Sequence, residues 1–168
     1  MAKLYPNLVQ SMVVSSTVVE LTESLSRESC KRFDGSSWTE LLLPDTVEGF
    51  KRMLTVGAHK LPWLPNFIYR GILETMFNNR RERSELLKAM VVPDKDAITD
   101  TNYSQRILML WGENDKIFNL EIANTMKTRL GAKTTLESIK NVGHLLSLEQ
   151  PFAYNRRLKH FLASSMYN

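Results

Sequence analysis

The chain has 168 residues, enough for one domain with its own core, and its 43% hydrophobic and 24% charged residues are ordinary for a folded protein. Its 22 basic and 18 acidic residues leave a net charge of only +4, too mild and too mixed for the one-signed basic surface that nucleic-acid binding needs. No apolar run approaches the ~20 residues of a membrane span, and the single Cys30 allows no internal disulfide and no metal-type Cys/His spacing, so neither a metal nor a cofactor is expected.

The opening "MAKLYPNLVQ" lacks the long apolar stretch of a secretory signal, and the default expectation is a reducing, cytoplasmic setting. "SMVVSSTVV", residues 11–19, is rich in β-branched residues and predicts a strand. Residues 20–100 hold no convincing strand and break into helical pieces: "LTESLSRESCKRF", "SWTELLLP", "DTVEGFKRMLTVGAHK", "PNFIYRGILETMF" and "RRERSELLKAMVV". Prolines at 44, 62, 65 and 93 separate them. Within the first piece Cys30 reads as a buried or half-buried helix thiol, with no base nearby to make it a nucleophile. The basic run at Arg80, Arg81, Arg83 and Lys88 is interleaved with Glu82 and Glu85, the pattern of a solvated helix face.

"RILMLWG", residues 106–112, is uniformly apolar before its glycine, as expected of a strand covered on both faces. "NLEIANTMKTRLG" then repeats Leu120, Ala123, Met126 and Leu130 at helical spacing, with Asn119 placed to cap the start and Gly131 to stop the end. "TTLESIK", residues 134–140, is a more polar strand that suits a sheet edge. Strand, helix and strand make a βαβ unit, whose crossover makes the strands parallel. "PFAYNRRLKHFLAS" predicts a last helix with Pro151 in its first turn and a buried stripe of Tyr154, Leu158, Phe161 and Leu162. The fold class is therefore α/β: a short parallel sheet from residues 1–19 and 101–168, with residues 20–100 inserted as a helical cap or lid over the C-terminal ends of the strands. Trp38, Phe50, Trp63, Phe67, Tyr69 and Phe77 of that insert either line an apolar pocket or simply pack the helices together.

Two residues fall where such sheets do their chemistry, in loops just beyond strand C-termini. Asp115 follows "RILMLWG" and His144 follows "TTLESIK". If the strands are neighbours, the two loops share one edge. A carboxylate there fixes an imidazole's tautomer while the imidazole takes and returns a proton. Each residue also has a plainer reading. Asp115 in "GENDK" suits a turn, and His144 after Gly143 could be an ordinary loop histidine. His59, in a helix tail, and His160, on the last helix, offer no comparable setting.

The conjunction of W-G-x-x-D, helix, strand, G-H and a proline-started helix resembles the C-terminal part of an α/β-hydrolase. "LWGENDKIFN" is similar to the family's acid loop, and "VGHLLSLEQP" to its histidine loop. The wider text is similar to capped plant serine hydrolases of the monoacylglycerol-lipase-like and meta-cleavage-product-hydrolase-like kind. Where many members carry proline after the acid loop, this chain has Phe118-Asn119. The resemblance implies that Asp115 and His144 are catalytic acid and base, that the substrate is a small apolar ester, and that the nucleophile is a serine in G-x-S-x-G, earlier in the chain.

No G-x-S-x-G occurs in the 168 residues. "DGSSWTE" lacks the spacing, and Ser15 and Ser16 have no flanking glycines and read as strand-end or pocket-wall residues. By resemblance, the first ten residues correspond to the end of the helix after the nucleophile, which places the serine and the oxyanion hole upstream. Two expectations follow. The first strand should have an open edge where a partner could add, with one helical layer over the sheet largely missing. The chain by itself should be inactive, and marginally stable or partner-dependent. The competing reading is a truncated, non-catalytic form that binds a ligand or protein through the cap. General-base chemistry by Asp115 and His144 without a covalent step is the least supported.

Overall fold

The computed structural model of the chain describes residues 1–61 and 63–165, with side chains to residue 164. Pro62, one of the four expected helix separators, lies outside them. Strand β1 (Ser11–Ser15) is followed by a two-residue strand β2 (Leu21–Thr22) and five helices: α1 (Glu23–Arg32), α2 (Trp38–Leu42), α3 (Val47–Gly57), α4 (Asn66–Met76) and α5 (Arg80–Ala89). Then come β3 (Val91–Val92), β4 (Arg106–Gly112), α6 (Leu120–Leu130), β5 (Thr134–Ile139), α7 (Leu146–Glu149) and α8 (Pro151–Ser165).

The helix starts follow the local chemistry. Thr22, Ser37, Thr46 and Asn119 each accept a backbone N–H of the first turn of α1, α2, α3 and α6, which supplies a partner that the helix itself cannot. Gly131 ends α6 at φ 104°, a conformation that favours glycine. Glu40 joins α2 to its surroundings. It accepts from the Ser36 hydroxyl and amide and from Arg52, and these bonds lower its carboxyl to a pKa of about 2.

The main sheet has the order β1-β4-β5, all parallel. Alternation sends β4's side chains to two different cores. Ile107, Met109 and Trp111 join Ala123, Met126 and Leu130 of α6 on one face, together with Cys30, Trp38 and Leu41 of the helical excursion. Leu108 and Leu110 join Ile139, Leu146 and Phe161 of α8 on the other. From Ile107 to Trp111 no residue is more than 1% exposed, so the central strand is covered on both faces. The expected loss of one helical layer is therefore not found over β4, because α6 and the excursion pack one face and α8 the other, whereas β1 is only half-buried along its whole length.

Three sequence expectations change in detail. The first strand ends at Ser15 because Ser16, at φ 42°, turns the chain out of the pleat. The excursion does contain strand: Leu21–Thr22 pairs in parallel with Val91–Val92. The β-branched Val91-Val92 before Pro93 leaves the α5 helix and closes both ends of the excursion with this clasp. On α8, Tyr154 and Leu158 are half-buried and Phe161 is buried, but Leu162 is 45% exposed. It sits about 100° round the helix from Phe161, beyond the apolar stripe. Cys30 is buried in α1, and burial first and the Glu40 carboxylate second push its thiol pKa up. Helix α5 buries no residue, and its Arg81–Glu85 pair lies in solvent.

Among the described residues β1 pairs only with β4, leaving its other edge open. Ser16 donates its N–H to the Leu110 carbonyl. Strand alternation therefore turns the main-chain groups of Ser15, Val13 and Ser11 towards the open side. The chain alone is expected to associate as its concentration rises. Val13→Pro, which removes an outward N–H and no ladder bond, should reduce that association in light scattering. A wild-type chain that stays a monodisperse monomer with one cooperative thermal transition would contradict this.

Candidate functional site

The parallel register of β4 and β5, Gly112 opposite Ile139, brings the two loops that follow them to the same edge of the sheet. They press together hard enough to dictate sequence. A Cβ on Gly112 would stand 2.1 Å from the Gly143 carbonyl oxygen and 2.4 Å from that of Val142. A Cβ on Gly143 would stand 2.7 Å from the His59 amide nitrogen. The glycines of W-G and G-H are thus required by close backbone approach, and the loops are further tied by Asn114 N–H to the Val142 carbonyl, 2.9 Å.

Within the first loop, Asp115 is fully shielded at its side chain. Its Oδ1 accepts the amides of Ile117 (2.8 Å) and Phe118 (2.9 Å). Its Oδ2 lies 3.0 Å from His144 Nδ1. The two oxygens of Asp115 thus divide their contacts: Oδ1 builds the turn and Oδ2 meets the histidine. Against a carboxylate acceptor Nδ1 carries the proton, which leaves Nε2 as the ring's available acceptor. The loop is anchored below by Trp111, whose Nε1 donates to the Phe118 carbonyl at 2.6 Å. The Phe118 ring meets the imidazole edge-on, at 5.8 Å between centroids.

His144 lines a cavity of about 410 Å³ whose walls are mainly apolar, among them Leu21, Trp38, Leu41, Met53 and Phe118. Its size is within the range of small-molecule sites. Of the six aromatic residues singled out in the excursion, only Trp38 lines it. Trp38 also packs edge-on against Phe33 and donates to the Ser26 hydroxyl. Phe50 packs with Tyr69 and Phe77, as helix packing requires, while Trp63 and Phe67 are 85% and 72% exposed. His59 contributes its backbone N–H rather than its ring to the loops, and His160 is exposed on α8. Among the described residues no three His, Cys, Asp or Glu side chains converge as a metal-binding group.

Ser15, Ser16 and Thr17 add hydroxyl-bearing residues to the cavity wall. Ser15 Oγ is hydrogen-bonded to the Tyr154 hydroxyl at 3.0 Å. Ser16 is 3% exposed, has φ 42°, and its hydroxyl has no hydrogen-bond partner among the described residues. A left-handed backbone and an unpaired buried hydroxyl each cost on the order of 1–3 kcal/mol.

Sequence reasoning missed Glu149. Its Oε2 accepts the amides of His59 (2.7 Å) and Lys60 (3.1 Å), and its Oε1 accepts that of Gly143 (2.8 Å). The Leu145 amide donates to the Gly57 carbonyl at 3.0 Å. One carboxylate thus joins the histidine loop to the end of α3. The signal was present in "GHLLSLEQP", an acid two residues ahead of a helix-starting proline, but nothing local says that two of its three partners, His59 and Lys60, lie about 90 residues away.

The matching proteins set this geometry in a wider frame. No family model matches the chain. Over 60 residues it is 35% identical to the carboxylesterase YbfK of Bacillus subtilis (strain 168), which covers 36% of this chain and 20% of that protein. Among solved structures, a candidate lipase (lip1) from Acinetobacter baumannii AYE superposes with a TM-score of 0.74 at 22% identity, covering 99% of this chain and 56% of its own. The meta-cleavage product hydrolase CumD from Pseudomonas fluorescens IP01 superposes with a TM-score of 0.66 at 18% identity, covering 98% of this chain and 59% of its own. The chain spans little more than half the length of these structures. It has the fold of the C-terminal part of an α/β-hydrolase.

Glu149→Ala should lower stability by about 1–3 kcal/mol in chemical denaturation, because three backbone amides lose their acceptor. Glu149→Gln, which keeps one acceptor oxygen, should lose distinctly less. Equal, negligible effects of both changes would show that the clamp does not hold the loop.

Proposed function

We propose that the chain carries the acid and base of an ester-cleaving serine hydrolase, with Asp115 orienting His144 and His144 moving the proton. The single observation that supports this most is the 3.0 Å contact between Asp115 Oδ2 and His144 Nδ1 at the wall of an apolar cavity. On this reading Nε2 takes the proton from a serine hydroxyl as it attacks the ester carbonyl, then returns it to the leaving alcohol. Asp115 remains a carboxylate and stabilises the imidazolium in between. The serine and the oxyanion donors lie outside residues 1–168, since these contain no G-x-S-x-G. Residues 20–100 act as the cap that bounds the acyl-binding cavity, the substrate is a small, mainly apolar ester, and the lone buried Cys30 suits a cytoplasmic setting.

A second reading is supported by the same sequence fact. Without a nucleophile, the 168 residues would act through binding, either by the cavity under the helical excursion or by a partner strand at the open edge of β1.

Ester turnover separates the two. The 168-residue chain alone should leave p-nitrophenyl butyrate hydrolysis at background. In a polypeptide that carries these residues together with a G-x-S-x-G, His144→Ala should lower kcat by about 10³-fold or more. Unchanged turnover after that substitution would remove His144 from the chemistry and the proposal with it.

A further inference from the structure

The cavity beside His144 is mainly apolar, and one polar group among its lining residues is left unsatisfied. Buried hydroxyls in folded proteins almost always find a partner. Among the described residues three buried side-chain polar atoms have none: Ser16 Oγ, Arg32 Nε and Thr134 Oγ1. Of these, only Ser16 belongs to the wall shared with His144. Its neighbour Ser15 is already engaged by Tyr154, so Ser15 is not free to receive a ligand without giving up that bond. Ser16 is also held in place. Its amide is bonded to the Leu110 carbonyl near the end of β4, and its positive φ ends the strand there. Strain and an orphaned hydroxyl at the same residue, on the wall of a cavity, point to a bond made only when the cavity is filled.

We propose that Ser16 is a specificity-determining residue whose hydroxyl hydrogen-bonds an oxygen of the bound ligand. The ligand class follows from the walls. It is a molecule apolar over most of its surface that carries a hydrogen-bonding oxygen, a hydroxyl or a carbonyl, at the end near Ser15 to Thr17. A plain hydrocarbon chain leaves the Ser16 hydroxyl unpaired, and a site built around a polar group discriminates strongly against ligands that lack its partner. The inference deepens the proposed function, since it takes the cavity as the ligand site, but it does not require His144 to be a base.

The test uses a matched pair of probes, 4-butylphenol and 4-butyltoluene, which differ by a hydroxyl in place of a methyl group. Binding to the full chain is measured by ligand-observed NMR titration. The wild type should bind the phenol about tenfold or more tightly than the toluene. Ser16→Gly removes the hydroxyl and suits the positive φ, so the variant should keep the fold, and the preference should shrink to within about threefold. Ser16→Ala should shrink it likewise. A wild type that binds neither probe, or both equally, overturns the proposal without any variant, and so does a preference that survives in Ser16→Gly. A phenol preference that disappears with Ser16→Gly, beside ester turnover that His144→Ala leaves unchanged in a polypeptide that also carries a G-x-S-x-G, would sink the hydrolase reading alone.

Discussion

The site depends on the backbone contact between Gly112 and the Val142–Gly143 carbonyls. It is possible only because β4 and β5 run parallel in a register that ends both strands at the same level. A side chain at Gly112 would force the loops apart by the width of an atom, and Asp115 and His144 would lose their reach. Everything nearby reinforces the contact. Trp111 supports the acid loop from beneath, the two amides on Oδ1 aim the carboxylate, and Glu149 holds the histidine loop from the far side. The pair is thus positioned by main chain and buried side chains rather than by its own attraction, which is how an orienting carboxylate must be held if its imidazole is to work in one tautomer.

The same sheet explains the contrast between stable and exposed parts of the molecule. Strand β4 has neighbours on both edges and a core on both faces. Strand β1 has one neighbour and half-buried side chains, yet it delivers Ser16 to the cavity. The helical excursion follows β1 after the turn at Ser16 and is closed by the Leu21–Thr22 and Val91–Val92 clasp, so β1 and the excursion both supply residues to the cavity wall.

Much of this was legible in the sequence where local rules apply. The apolar run at 106–112, the capped helix at 120–130 and the proline-started last helix are periodic and bounded by strong start and stop residues, and their limits hold to within a residue. The approach of Asp115 to His144 was legible because each follows a strand of one βαβ unit. What was not legible depends on distant partners. The β2–β3 clasp pairs residues about 70 apart, with only two residues on each side, too few to show a period. Ser16's backbone reversal has no glycine or asparagine to announce it. Glu149 reads as an ordinary helix-end acid until the end of α3 is brought against it. Leu162 fits an apolar repeat but lies past the arc that the sheet can cover.

The central claim is that Asp115 holds His144 in the tautomer with the proton on Nδ1. The direct measurement is the ¹⁵N NMR spectrum of the His144 ring above its titration range, in the wild-type chain and in Asp115→Ala. The account predicts a protonated Nδ1 and a bare Nε2 in the wild type, and a return to the mixture of an unrestrained imidazole in the variant. A wild-type ring protonated on Nε2, or one indifferent to the loss of Asp115, would contradict it.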